Sequence, residues 1–140
     1  MILKVLKIDT WIGDETNCYL VQDDKTKETM VIDAAGDVDK IVEMLDILQA
    51  KLKYIYLTHC HGDHIGGVKE LKEKYGGKIV AQRLAAENLR DPNINLTTYI
   101  GDKGLTIDTD ARVDDNDLIH LGELEFRVIH TPGHTSGGSC

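Results

Sequence analysis

Three histidines and an aspartate occur within the short stretch His59–His64, and this cluster constrains the fold more than any other part of the sequence. The run before it, Tyr54–Thr58, is rich in β-branched and aromatic residues, which is typical of a buried strand. The pair Gly66-Gly67 after it predicts the start of a helix. The cluster is therefore expected in a loop at the carboxyl end of a strand, where ligands commonly bind in α/β proteins.

The spacing within this cluster predicts a metal site. Alternate residues of an extended segment project to the same side, so His59 and His61 form one pair of nitrogen donors. Gly62 lets the backbone turn, after which Asp63 and His64 can face a second position beside the first. Sets of donors rich in imidazole are typical of catalytic zinc sites that keep an open position. Copper or iron in place of zinc stays open, because the type of ligand alone does not choose the metal.

A distant segment can add another imidazole to the first position. Pro132 and Gly133 predict a sharp turn that holds His134 toward His59 and His61. A zinc ion with three such ligands keeps one position for water, and it can lower the pKa of that water to about 7. The resulting hydroxide would be the nucleophile, and Asp63 could orient it or accept its proton.

Two residues near the cluster have alternative interpretations. Cys60 could be a ligand or a nucleophile, but strand alternation points it away from the neighbouring histidines and favours a buried thiol behind the site. Asp33 ends a predicted strand, and it either supports the metal ligands through hydrogen bonds or is a solvated loop acid. His120 and His130 have no partner at ligand spacing and are predicted to be structural.

The remaining hydrophobic patterns predict a mixed α/β chain. Strands are expected at Ile2–Ile8, Cys18–Gln22, Thr29–Asp33, Tyr54–Thr58 and Lys78–Ala81, with a hairpin at Asp117–His120 and Glu123–Ile129. Helices are expected from Val38 to Leu48 with Asp37 as the N-cap, after Gly66-Gly67, and over Arg83–Leu89. Short turns between the first three strands predict an antiparallel meander.

The segment from Asp91 to Asp110 is polar and is interrupted by Asp91-Pro92-Asn93 and by Gly101-Asp102-Lys103-Gly104. A loop of this length in a compact domain is often a lid or a binding loop. Tyr99 is the candidate there for contact with a substrate, although a lone aromatic residue in a loop more often packs locally.

The composition of the chain limits the classes of partner that it is expected to bind. The chain has 24 acidic and 16 basic residues, a net charge of −8, and no basic patch, which disfavours nucleic acid. No apolar run approaches membrane-spanning length and the N-terminus lacks a signal-peptide pattern, so we expect a cytoplasmic protein without a membrane partner. Three scattered cysteines imply no disulfide framework.

The motif His59–His64, the pair Gly66-Gly67 and the later segment Thr131–Thr135 together resemble the metallo-β-lactamase superfamily. The segments Ala86–Leu89 and Gly122–Cys140 most resemble its hydroxyacylglutathione-hydrolase-like branch. This resemblance covers essentially the whole chain. It implies an α/β fold, the N-terminal portion of an αββα sandwich, with a mostly antiparallel mixed sheet and flanking helices.

The resemblance also implies a hydrolase with one or two zinc ions, iron or manganese being alternatives. Its substrate would be an ester-like small molecule, and acylglutathione thioesters are the leading candidates. Asp63 would be the catalytic residue, and the metal ligands would be His59, His61, Asp63, His64 and His134. A di-iron oxidoreductase of the same superfamily is a further alternative.

The sequence departs from the family's pattern at one place. The family's domain continues past the Gly-His-Thr segment and normally supplies a bridging aspartate and a last histidine, which cannot be assigned here. We therefore expect a single domain over residues 1–140, incomplete at its C-terminus, with a first metal position stronger than the second. Uncovered apolar faces drive association, so a homodimer covering the absent half is expected. The alternative is a catalytically incomplete metal-binding module that associates with itself.

Overall fold

A six-stranded sheet forms the centre of the protein in a computed structural model, which describes residues 1–100 and 104–140. Its strands neighbour one another in chain order: β1 (Ile2–Asp9), β2 (Glu15–Gln22), β3 (Glu28–Ile32), β4 (Lys51–Leu57), β5 (Lys78–Gln82) and β6 (Ala111–Val113). A hairpin of β7 (Leu118–Leu121) and β8 (Leu124–Arg127) forms a second sheet. The helices are α1 (Val38–Ile47), α2 (Val68–Tyr75) and α3 (Arg83–Asn88), with 3₁₀ turns at Gly62–His64 and Thr97–Tyr99. Residues 101–103, part of one predicted loop breaker, lie outside the described residues.

The central sheet is mixed, as predicted, and its first three strands form the expected antiparallel meander. From β3 to β6, however, every neighbouring pair is parallel, so the expectation of a mostly antiparallel sheet is wrong for these strands. The reason is that α1 connects β3 to β4 and α2 connects β4 to β5, and a helical crossover returns the chain in its original direction. Parallel neighbours bring their carboxyl ends to the same edge of the sheet.

Several element boundaries differ from the sequence pattern. β2 begins at Glu15 because the polar residues before Cys18 pair with the end of β1. β6 was not predicted, since it is only three residues long and is defined by its pairing with β5. Asp37 occupies the N-cap position of α1, but its φ of 41° is left-handed and its side chain makes no capping hydrogen bond.

Successive residues of the central strands point to opposite faces of the sheet, and both faces are covered. Val31, Ile55 and Leu57 pack beneath the helices. Met30 and Tyr56 pack on the other side, against the β7–β8 hairpin. Burial on both faces explains why the pattern of β4 is almost continuously apolar rather than alternating. Across residues 1–100 and 104–140, none of the helices has the length and apolar character needed to cross a lipid bilayer.

Candidate metal centre

The candidate site lies where β3 and β4 end side by side. The backbone N–H of Asp33, after β3, donates to the carbonyl of Tyr56 at 2.9 Å. The backbone N–H of Thr58, after β4, donates in turn to Oδ1 of Asp33 at 2.8 Å. The histidine cluster therefore leaves the sheet at the carboxyl edge of parallel strands, as the sequence predicted.

Three imidazoles converge at this edge. The donor nitrogens of His59, His61 and His134 all lie within 4.8 Å of one another. Nδ1 of His61 is 3.0 Å from Nε2 of His134, although 73 residues separate them in the chain. Because a Zn–N bond is about 2.0–2.1 Å long, two nitrogens that share one zinc ion lie at most roughly 4.2 Å apart. The spacing of these two nitrogens is therefore compatible with a shared ion.

A buried nitrogen atom of His59 supports the fit of a metal ion. Nδ1 of this ring lies 3.0 Å from Oγ1 of Thr58. Nε2 is hidden from solvent and has no hydrogen-bond partner among the described residues. A buried polar atom without a partner costs free energy, and such atoms are uncommon in folded proteins. A metal ion held with His61 and His134 would give this lone pair its missing partner.

His64 and Asp63 lie next to this group. Nδ1 of His64 donates to Oδ2 of Asp33 at 2.9 Å, which leaves Nε2 turned toward Oδ2 of Asp63 at 3.8 Å. The centroids of the His59 and His64 rings are 4.2 Å apart, so the second pair of donors adjoins the first group. Asp63 and His64 as ligands of a second ion remain a prediction that this geometry permits.

Asp33 is buried and hydrogen-bonded, which decides between its two interpretations. Its side chain accepts hydrogen bonds from the backbone and the hydroxyl of Thr58 and from His64. One of its oxygens also lies within 4.8 Å of donor atoms of His59 and His64. Since both carboxylate oxygens are already engaged, we interpret Asp33 as a support for the ligands rather than a ligand itself.

The surroundings of His59 and His61 favour their neutral imidazole forms by lowering the pKa of each ring. Burial, followed by the charge on the neighbouring His64, lowers the pKa of His59 to about 4. Burial is also the main reason that the pKa of His61 is lowered. Burial opposes the charged form of His64 as well, but the hydrogen bond and charge of Asp33 outweigh it and raise the pKa of His64. A neutral imidazole is the form that binds a metal ion, so the first position is prepared for one.

Two residues that the sequence analysis missed, Trp11 and Asn95, form hydrogen bonds with the backbone of Gly62 at the turn of the motif. Trp11 donates its indole N–H to the carbonyl of Gly62 at 2.9 Å. The N–H of Gly62 donates to the carbonyl of Asn95 at 2.9 Å. The buried side chain of Asn95 is itself bonded to the carbonyls of Leu89 at 3.2 Å and Leu105 at 2.7 Å. Buried hydrogen bonds thus make Asn95 a support for the motif, and a role of the surrounding segment as a lid or a binding loop stays a prediction.

Four further residues that the sequence analysis considered differ in burial and contacts. Cys60 is buried and burial raises the pKa of its thiol, in agreement with an unreactive thiol behind the site. Tyr99 is 77% exposed, and its contact with a substrate stays a prediction. His120 lies on β7, 4.0 Å from Glu125, and His130 contacts the carbonyl of Ser136 at 2.8 Å. Neither belongs to the donor groups of the described residues.

A cavity of about 460 Å³ opens beside His59 and His134. Tyr19 and Tyr56 form part of its wall, and the hydroxyl groups of Tyr56 and Ser139 share a buried hydrogen bond of 2.7 Å. Small-molecule sites in proteins commonly have volumes of about 300–1,000 Å³. The cavity therefore has room for a small ligand next to the three imidazoles.

A family model described as the metallo-beta-lactamase superfamily matches residues 11–140. The chain belongs to this superfamily. Among curated proteins it is 34% identical over 122 residues to the hydroxyacylglutathione hydrolase of Pelagibacter ubique. It is 36% identical over 130 residues to the hydroxyacylglutathione hydrolase of a Bradyrhizobium strain.

The chain spans 44% of the length of each of these two relatives while the matches cover 87% and 93% of the chain itself. An uncharacterised protein of Aquifex aeolicus is 33% identical over the whole chain, which spans 64% of that protein. Among solved structures, BLEG-1 B3 metallo-beta-lactamase superposes with a TM-score of 0.85 at 27% identity, covering 99% of this chain and 65% of that one. ETHE1 from Myxococcus xanthus superposes with a TM-score of 0.73 at 26% identity, covering 99% of this chain and 52% of that one.

Proposed function

We propose that this protein is a metal-dependent hydrolase that uses zinc and acts on an ester-like small molecule, with thioesters of glutathione as the leading candidates. The observation that carries the proposal is the convergence of donor nitrogens of His59, His61 and His134, together with the buried Nε2 of His59 that has no partner among the described residues. The relatives named hydroxyacylglutathione hydrolase support the class of substrate. The chain spans less than half the length of those relatives, so hydrolysis of such a thioester by this chain is part of the proposal.

The residues divide into holding, supporting and reacting groups. His59, His61 and His134 would hold the first ion, and Asp63 and His64 would hold a second. A bound zinc ion supplies a Lewis acid that polarises a carbonyl oxygen and lowers the pKa of water. Asp33 keeps the ring of His64 in place through its hydrogen bond.

Asp63 is the residue best placed to handle a proton. Its side chain is 31% exposed, so it can be reached by water, and its Oδ2 lies 3.8 Å from Nε2 of His64. A carboxylate there can orient an attacking water molecule and accept its proton. The substrate would lie in the cavity beside His59 and His134, with its acyl group against the apolar parts of Tyr19 and Tyr56.

A metal-binding module without turnover is the second candidate. It is favoured because the second position is weak. With Asp33 acting as a support, only Asp63 and His64 supply ligands there within the described part of the chain. Two ligands hold an ion weakly, and a two-metal hydrolase needs both positions filled. In this alternative the first ion would still bind.

Iron remains the alternative metal, and with it a di-iron oxidoreductase of the same superfamily. Imidazole and carboxylate donors suit iron as well as zinc, so the set of ligands does not separate them. Elemental analysis of protein that was purified without added metal distinguishes these two possibilities.

Hydrolysis is tested with an acylglutathione thioester and a nitrophenyl ester as substrates for the zinc-loaded protein. We expect His59→Ala to abolish turnover, and we expect Asp63→Ala to reduce kcat by about 10²–10⁴-fold, the usual contribution of a general acid or base. His120→Ala is the matched control, because this histidine lies on β7 outside the donor groups. Turnover that is absent from the wild type, or equal in the wild type and both site variants, would refute the hydrolase and leave the metal-binding module.

A further inference from the structure

The hydroxyl group of Thr58 links the two metal positions. It donates to Oδ2 of Asp33 at 2.7 Å, and it lies 3.0 Å from Nδ1 of His59. The same oxygen atom of Asp33 accepts a hydrogen bond from Nδ1 of His64 at 2.9 Å. One carboxylate oxygen is thus connected to an imidazole at each position, directly to His64 and through a hydroxyl group to His59.

The hydroxyl group of Thr58 donates its single proton to Asp33. An ionised carboxylate only accepts hydrogen bonds, so the contact between Thr58 and Asp33 requires the hydroxyl proton. A hydrogen bond to a charged acceptor is also stronger than one between neutral groups. The hydroxyl oxygen therefore has only lone pairs to offer His59, and Nδ1 of that ring must carry its proton to bond with it.

The tautomer of His59 follows from this arrangement. In a neutral imidazole one nitrogen carries the proton and the other has the free lone pair. If Nδ1 is protonated, the lone pair lies on Nε2, which is the buried atom without a partner. Because Nδ1 is engaged with Thr58, Nε2 is the nitrogen of this ring that stays free to act as the donor in the convergent group. The opposite tautomer would place an N–H at the metal position instead.

We propose that Thr58 is a positioning residue that sets the tautomer of His59. Its hydroxyl group donates to Asp33 and accepts from Nδ1 of His59, and it thereby connects this carboxylate to a ligand at the first metal position. Its backbone serves the same end, because its N–H anchors Oδ1 of Asp33 at 2.8 Å. Thr58 also lines the cavity beside His59 and His134, but the role proposed here is exerted on the His59 ring. It acts through His59, whose lone pair it keeps directed at the site. This inference rests on the proposed metal site.

The tautomer is measured directly in the metal-free protein. Long-range ¹H–¹⁵N correlation spectra of uniformly ¹⁵N-labelled protein separate protonated from unprotonated ring nitrogens, and His59→Gln identifies the signals of His59. We expect a protonated Nδ1 and an unprotonated Nε2 in the wild type near neutral pH. A predominantly protonated Nε2 in the wild type would overturn the proposal, whatever the variants do.

Two substitutions at position 58 then separate the hydroxyl group from the shape of the side chain. Thr58→Val keeps the shape and loses the hydroxyl, and Thr58→Ser keeps the hydroxyl. We expect Thr58→Val to lose the Nδ1–H preference and to bind zinc about 10–100-fold more weakly in competition with a chromophoric chelator, as is usual for a partner behind a metal ligand. Thr58→Ser should restore both properties to near the wild type.

The outcomes are distinct from those of the hydrolase proposal. A Thr58→Val protein that keeps both the wild-type tautomer and the wild-type affinity for zinc would refute the role of Thr58 and leave the hydrolase intact. A wild type that binds no zinc but shows the predicted tautomer would refute the hydrolase while supporting the hydrogen-bond arrangement. If Thr58→Val does not fold, Thr58→Ala removes the hydroxyl group instead, and the same two measurements on that variant support or refute the role of Thr58.

Discussion

Trp11 donates its indole N–H to the carbonyl oxygen of Gly62 at 2.9 Å, across 51 residues of sequence. Gly62 opens the turn between the first and second pairs of metal-binding candidates, so Trp11 fixes that turn from the β1–β2 loop. Trp11 is 46% exposed and is the only tryptophan in the chain. Trp11 is therefore a natural probe of the candidate site.

Metal binding should change the fluorescence of Trp11. An ion bound by His59, His61 and His134 will adjust the turn at Gly62, which follows His61, and with it the environment of the indole bonded to that turn. We expect a saturable change in emission when zinc is added to metal-free protein. The same titration of His59→Ala should show no saturable change in the same concentration range, and an unchanged wild-type spectrum at full metal loading would count against this coupling.

Gly66 permits a close approach between the motif and the loop after β3. A Cβ atom at this position would lie 2.6 Å from the carbonyl oxygen of Ala35 and 3.3 Å from Nε1 of Trp11. Since the first of these is a backbone atom, Gly66→Ala must shift the chain. We expect a loss of about 1–3 kcal/mol in the free energy of unfolding, typical of overpacking, measured with urea on the metal-free protein.

The control for this substitution is Lys69→Ala, on an exposed position of α2, where alanine suits the helix. That variant should unfold within about 0.5 kcal/mol of the wild type, as surface substitutions usually do. Equal stability of Gly66→Ala and Lys69→Ala would show that the close approach to Ala35 is not needed.

How far the sequence predicted the site depends on the kind of contact. The grouping of His59, His61 and His64 was predictable because it follows from local alternation and one turn. The approach of His134 needed the turn at Pro132 and Gly133 and the family resemblance, since no local pattern connects it to the motif.

Trp11 and Asn95 could not be predicted in the same way. Both act on Gly62 through hydrogen bonds with its backbone, and a backbone carbonyl or N–H has no signature in the sequence. The parallel order of β3 to β5 was within reach of the sequence, because the predicted helices lie between successive strands and such crossovers join parallel neighbours, whereas the expectation of a mostly antiparallel sheet came from the family resemblance. Asp33 could be placed at a strand end, but its burial depends on which strand lies beside it.

Tyr56 should make the protein lose stability at alkaline pH. Burial raises the pKa of its phenol above the ordinary value of 10.0, against the opposing effect of the hydrogen bond with Ser139. The folded protein therefore holds this proton when the unfolded chain has already released it. The stability that this proton contributes is complete below pH 10 and is lost as the pH rises through the raised pKa.

Tyr56→Phe tests this expectation. At pH 7 the variant should be destabilised by about 0.5–1.5 kcal/mol, because it loses the hydrogen bond with Ser139. Between pH 9.5 and 11 its unfolding free energy should fall less steeply than that of the wild type. Tyr99→Phe, at an exposed side chain, is the control and should follow the wild type. Parallel curves for Tyr56→Phe and the wild type would contradict the raised pKa.

The chain is proposed to form a homodimer. β1 lies at the edge of the central sheet, and its Leu3 and Val5 are 54% and 52% exposed. An exposed strand edge with apolar side chains favours association. Size-exclusion chromatography with light scattering should give twice the mass of one chain, and Val5→Lys should shift the protein toward the monomer. A wild-type monomer at the highest attainable concentration would remove this proposal.

The number of zinc ions bound per chain tests the central claim most directly. Metal-free protein is loaded with zinc, dialysed against a weak chelator and analysed by mass spectrometry of the elements. We expect at least one ion per chain in the wild type and in His120→Ala. We expect His134→Ala to bind zinc more than about 100-fold more weakly, since even a partner behind a ligand contributes 10–100-fold. A wild type that retains no metal, or a His134→Ala protein that retains as much as the wild type, would contradict the shared site of His59, His61 and His134.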